Sequence, residues 1–171
     1  MFLVVCEGET EEEYVNILKR HFRLPITIKT KVSGNTICTR LVNQYLKEIG
    51  LSKDDEYKVF FIYDADVDCI VAKLMEMPGI TILSNPSIEL WYILHSKDHR
   101  RYISSESMMK ELSLSDPVWK NYIKGKLTQE QQQLLLSACK EAMGRAKRLT
   151  WPGNPSSNMQ DFIQALEAEK R

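Results

Sequence analysis

Val59-Phe60-Phe61-Ile62-Tyr63, running straight into Asp64-Ala65-Asp66-Val67-Asp68, decides how this chain is read. An unbroken run of β-branched and aromatic residues, too short for a helix and closed by acids, predicts a strand covered on both faces, as in a parallel sheet. Open parallel sheets place their ligands beyond the carboxyl ends of the strands. The acids that end this run therefore stand where a site is expected.

Upstream, Phe2 to Cys6 has the same texture and ends at Glu7-Gly8. Thr10 to Phe22 follows as a helix, with Thr10 as the expected N-cap and Glu11, Glu12 and Glu13 loading its first turn with negative charge. Ile26 to Val32 alternates apolar with Thr or Lys and predicts a strand with one exposed face. Ser33-Gly34-Asn35 is a turn, and Thr36 to Ile49 is an amphipathic helix stopped by Gly50. Downstream, Val67 to Met75 is a short helix and Asp68 its expected cap. Ile80 to Leu83 is another strand, and Asn85-Pro86-Ser87 opens a helix through His95.

Strands alternate with helices to about residue 95, which predicts βαβ units. The expected organisation is an α/β core over 1–97, with a mostly parallel sheet of about four strands, and a helical region over 98–171 packed on it. In that region Gln129 to Leu149 reads as one long helix, 151–157 as a loop and Asn158 to Ala168 as a final helix.

Bulk properties bound the function. The 171 residues carry 23 Lys+Arg and 23 Asp+Glu, so net charge favours no class of partner. Cys6, Cys38, Cys69 and Cys139 are widely spaced and form no C-x-x-C pair; read as reduced thiols, they point to the cytoplasm. Met1 to Cys6 lacks the basic lead of a signal peptide, and no run approaches the ~18 apolar residues of a membrane span. There is no P-loop, G-x-G-x-x-G or Ser-His-Asp pattern.

Glu7, Asp64 and Asp66 are the candidate metal ligands and catalytic residues. Carboxylates gathered at one edge repel each other and ionise comfortably only with a cation. Mg²⁺ takes oxygen ligands, commonly one or two carboxylates together with water and phosphate, and Mn²⁺ can substitute. The competing reading of each acid is a helix cap or solvated turn. Around these three stand further candidates. Gly8 would allow a close turn, and Thr10 could donate to phosphate as an alternative to capping. Glu11, Asn85 and Glu89 would provide polar support, His95 a place on the site rim, and Lys124 one cation among Arg100, Arg101, Lys120, Lys126, Arg145, Lys147 and Arg148. Trp91 and Tyr92 read as core.

Glu7-Gly8 after one strand and Asp64-x-Asp66 after another resemble the Toprim signature. Cys6-Glu7-Gly8-Glu9-Thr10-Glu11 with Tyr14, Ser84-Asn85-Pro86-Ser87-Ile88-Glu89-Leu90-Trp91 with His95, and Asn154-Pro155-Ser156-Ser157-Asn158 resemble the RloB-like family more specifically. The resemblance implies a Toprim-like fold and Mg²⁺-dependent phosphodiester chemistry on DNA or RNA. It further implies a setting in restriction or abortive-infection defence, and a partner protein such as an ATPase encoded nearby. Glu7 would be the Toprim glutamate, Asp64 and Asp66 the Mg²⁺ ligands, and Asn85 and Glu89 an additional polar pair. A non-catalytic nucleic-acid- or nucleotide-binding module with a structural cation is the alternative.

Overall fold

The computed structural model describes residues 1–52 and 54–170. Its strands are β1 (Phe2–Cys6), β2 (Ile26–Lys29), β3 (Lys58–Asp64), β4 (Ile80–Asn85) and β5 (Ser156–Ser157), ordered β2-β1-β3-β4-β5 in one sheet. The first four are parallel and β5 runs antiparallel to β4. The helices are α1 (Glu9–Phe22), α2 (Thr39–Glu48), α3 (Asp68–Met75), α4 (Ile88–Ser96), α5 (Ser105–Ser115), α6 (Gln129–Ser137), α7 (Cys139–Ala146) and α8 (Met159–Glu169), with a 3-10 turn at Pro117–Trp119. The fold is mixed α/β, as the alternation of strand and helix signals implies.

Strand periodicity divides the core in two. Phe2, Val4, Cys6, Phe60, Ile62 and Ile82 point to a face covered by α1 and by α4 to α8. Leu3, Val5, Phe61, Tyr63 and Leu83 point to the other, where α2 and α3 supply Val42, Leu46 and Leu74. On the thicker face α4 is buried almost all round, from Ile88 to His95. Trp91 Nε1–H donates to Tyr14 Oη (2.8 Å), and the Tyr92 ring stacks on Trp119 with centroids 5.3 Å apart. Trp91 and Tyr92 are core, as expected.

Several expectations are corrected. The sheet has a fifth strand inside the segment read as a loop. Two serines carry no apolar alternation, but Ser157 Oγ meets Ser84 Oγ at 2.8 Å within the buried β4–β5 pair. The expected long helix breaks at Ala138 (φ −97, ψ 17) into α6 and α7. β2 ends at Lys29, and α2 starts only at Thr39. Asp68 lies in the first turn of α3, whose N-cap is Val67. The 33–35 turn is braced on α3: Lys73 Nζ donates to Asn35 O (3.0 Å), and a Cβ on Gly34 would fall 2.5 Å from Ile70.

Next to β5, the Asn158 side chain behaves like a further residue of the sheet. Its Oδ1 accepts from Leu83 N–H (2.8 Å) and its Nδ2 donates to Thr81 O (3.0 Å). Thr81 and Leu83 belong to the edge of β4 that β5 covers for only two residues. Among the described residues no helix is long and apolar enough to cross a membrane.

Candidate functional site

β1 and β3 are neighbours, so their carboxyl ends deliver Glu7 and Asp64 side by side. The Glu7 N–H prolongs the β1–β3 ladder by donating to Ile62 O (3.1 Å), and its Oε2 accepts from the Asp64 N–H (2.9 Å). Asp64 in turn accepts from the Ile88 N–H at Oδ1 (2.9 Å), in the first turn of α4. Two carboxylates thus tie β1 to β3 and β3 to α4. Each keeps one oxygen outside these bonds.

Two more acids close in from the thick face. Glu11 is buried, and its Oε2 accepts from the Gly8 N–H (2.9 Å), as half of a capping box in which Gly8 is the N-cap. Thr10 lies inside the first turn and is not the cap. Gly8 has extended backbone (φ −146), which any residue adopts; glycine instead leaves room for Glu11, whose Oε2 would sit 3.3 Å from a Cβ. Glu89 is 1% exposed. Its Oε2 accepts from Ser87 Oγ (2.6 Å), its Oε1 accepts from Tyr122 Oη (3.1 Å), and Lys124 Nζ stands 3.6 Å from Oε1.

The electrostatics follow from this crowding. Burial, then the charges of Glu11, Glu89 and Glu7, holds the Asp64 carboxyl well above the usual range. Burial, reinforced by Glu7 and Glu89, pushes Glu11 up to about 7. Glu7 is raised by burial and by Asp66, against the opposing Asp64 N–H and Lys124. Asp66 itself is exposed on the loop towards α3. It acts on Glu7 through its charge.

The donor chemistry of this cluster suits a hard dication: all its ligands are oxygens, and Glu7 and Asp64 each retain one that no hydrogen bond uses. Among the described residues no three His, Cys, Asp or Glu side chains converge as a ready-made metal centre. The acids are held mainly by backbone N–H groups, Ser87 and Tyr122.

With this geometry in place, the motifs can be set against known proteins. Residues 2–166 match the family model described as RloB-like protein. The chain belongs to the RloB-like family. No curated protein and no solved structure matches it.

In this RloB-like chain the remaining candidates separate by position. Asn85, at the end of β4, donates from Nδ2 to Pro152 O (2.9 Å) and so joins the sheet edge to the 151–155 loop. His95 is not on the rim. It is 3% exposed and lies six residues beyond Glu89 along α4, a rise of ~9 Å. There its Nδ1 meets Trp91 O (2.8 Å), and burial pushes its pKa down to about 4. A helix that begins at the site and runs into the core carries its last turn away from it.

Tyr122 joins the candidate site through its hydroxyl, which donates to Glu89 Oε1. The turn that follows it seats Lys124 over Glu89 and packs on the start of α1. Gly125 has φ +74, and a Cβ there would stand 3.0 Å from the Glu9 Cβ. The signal open to sequence reading is Tyr-Ile-Lys-Gly-Lys, a glycine turn flanked by two lysines in a polar stretch.

Proposed function

We propose that this chain is a metal-dependent nuclease, or a related phosphodiester-transfer enzyme, acting on nucleic acid in defence. One observation carries the reading. Glu7 and Asp64 meet at the ends of adjacent strands, within a group of carboxylates in which burial first, and the neighbouring acids second, hold Asp64 and Glu11 above their usual range. A site of this kind takes either protons or a cation, and Mg²⁺ or Mn²⁺ is the cation its oxygens fit. Bound there, the metal would supply neutralisation of phosphate charge and an acidified water.

The residues divide the remaining work. Glu7 and Asp64 would offer their uncommitted oxygens to the cation, and exposed Asp66 would reach it by a side-chain rotation. Glu11 and Glu89 stand buried behind them. Tyr122 fixes Glu89, while Lys124 stands at the open side, where it can meet a phosphate oxygen. The Toprim likeness is supported by the placement of Glu7 and Asp64 on neighbouring parallel strands.

A second reading, a non-catalytic module with a structural cation, is favoured by a specific observation. Glu7, Asp64 and Glu89 all make bonds that hold β1, β3, α4 and the Tyr122 turn together. Calorimetric titration with Mn²⁺, followed by cleavage assays on plasmid and single-stranded substrates, separates the two. Metal-dependent cleavage supports the enzyme. Heat of binding with no cleavage of any substrate supports the module, and no binding at all defeats both.

A further inference from the structure

Beyond the acidic centre, a cleft of about 740 Å³ opens along the 97–104 loop and the first turns of α5. A second, of about 330 Å³, lies against the 148–155 loop and shares Arg100 with the first. The second cleft adjoins the sheet edge that carries the site, through Pro152. Asp64 stands opposite Ser84 in the β3–β4 register, and Asn85, the next residue, stands opposite Ser156 and is bonded to Pro152 on the cleft wall. From there the floor is held rigidly: Asn154 Oδ1 accepts from the Ile103 N–H (3.0 Å), and its Nδ2 donates to Ile103 O (2.8 Å).

The cleft's charged side chains carry an excess of positive charge, although Lys97 pairs with Glu111 at 3.3 Å. Four cations, Lys97, Arg100, Arg101 and Arg148, face two acids, Asp98 and Glu111. Arg100 and Arg148 share the single Asp98 carboxylate, at 2.8 Å and 3.9 Å, so its charge does not cancel theirs. Arg101 is exposed and enters no ion pair among the described residues. Beside it Tyr102 is 75% exposed, although the next residue, Ile103, is buried and clamped. The loop thus presents an exposed aromatic ring beside guanidinium groups, the side-chain types that stack on bases and hold phosphates.

We infer that this cleft is a track for single-stranded nucleic acid leading to the acidic centre, with Tyr102 stacking on a base while Arg100, Arg101 and Arg148 hold phosphates. The choice of nucleic acid rests on the function proposed above; the choice of a single strand rests on Tyr102, because a duplex has its bases already stacked and paired.

The test uses the full chain in EDTA, where cleavage cannot interfere. Anisotropy is read with short labelled DNA and RNA single strands and with a blunt DNA duplex. A single strand should bind more tightly than the duplex. Tyr102→Ala should weaken it by about 5- to 150-fold. Arg101→Glu should lower the slope of log affinity against log salt by at least about 0.7, the value of one phosphate contact on a single strand. Both side chains are exposed, and thermal melts confirm that the variants fold. Binding that both variants leave unchanged, tighter binding of the duplex, or equal competition by polyglutamate at matched charge would overturn the track. Cleavage with Mn²⁺ is then measured separately. Tyr102-dependent binding without cleavage overturns the nuclease reading and leaves the track standing. Cleavage and single-strand binding that neither variant affects overturn the track alone.

Discussion

The two faces of the sheet treat acidic side chains differently. On the thick face, under α1, α4 and the Tyr122 turn, Glu11 and Glu89 are buried and every oxygen that accepts a hydrogen bond does so from a named partner. On the side of the thin face, Asp66 on the loop and Asp68 in the first turn of α3 lie exposed. The same residue types at the same sheet edge therefore end in opposite environments, according to how much helix covers them. Buried and crowded, a carboxylate holds on to its proton or takes up a cation; exposed, it is a solvated charge.

The sharpest way to break this contrast is to remove charge at the junction of the faces. Glu7→Gln and Asp64→Asn should each reduce metal-dependent cleavage by about 10²–10⁴-fold, the usual range for a positioned acid or base. Asp66→Asn, assayed beside them, tells whether the exposed acid joins the buried ones: a comparable loss would make it a ligand.

The next largest effect concerns packing. Trp91→Ala should destabilise the protein by about 3–5 kcal/mol, read by denaturant unfolding, because it empties the thick core and strands the Tyr14 hydroxyl. Tyr122→Phe removes only one hydroxyl, but leaves buried Glu89 a donor short; a loss of about 1–3 kcal/mol is expected. Should Tyr122→Phe prove neutral, the turn would not be what holds Glu89.

pH sharpens the comparison further. Glu11 has a folded-state pKa raised from 4.5 to about 7, so the folded protein binds the extra proton. Its contribution to stability is full below pH 4.5 and is lost as pH rises through 7. His95 works in the opposite sense: its pKa is lowered from 6.5 to about 4, so its contribution is present above pH 6.5 and is lost as pH falls to 4. Glu11→Gln should therefore gain on the parent in thermal melts as pH rises from 5 to 7.5. Mn²⁺ should raise the parent's melting temperature more at pH 7.5 than at pH 5. The smallest effect belongs to the exposed side, where Asp66→Asn should change stability by no more than about 0.5 kcal/mol.

Much of the fold is legible in the sequence because burial writes itself as apolar runs. β1, β3 and β4 carry such runs, and Glu7, Asp64 and the Ser84-Asn85 pair are found simply by looking at the polar residues where each run stops. The features that escape a sequence reading lack that signature. β5 is two serines, recognisable only through its partner β4. The break between α6 and α7 falls at an alanine, a strong helix former that gives no stop signal. Tyr122 reaches Glu89 across a sequence separation of 33 residues, a distance at which periodicity says nothing. His95 shares a helix with Glu89, but a helix carries position as well as sequence, and six residues are enough to leave the site.

The amide of Asn158 has one more consequence. An outer strand with open N–H and C=O groups is an invitation to pair with another molecule, and β4 would be such a strand over Thr81 to Leu83. By filling that row with a side chain, the final segment keeps the sheet from growing by addition of a neighbour. Asn158→Leu would leave the Leu83 N–H and the Thr81 carbonyl without these partners, while the β5 pairing itself stayed in place.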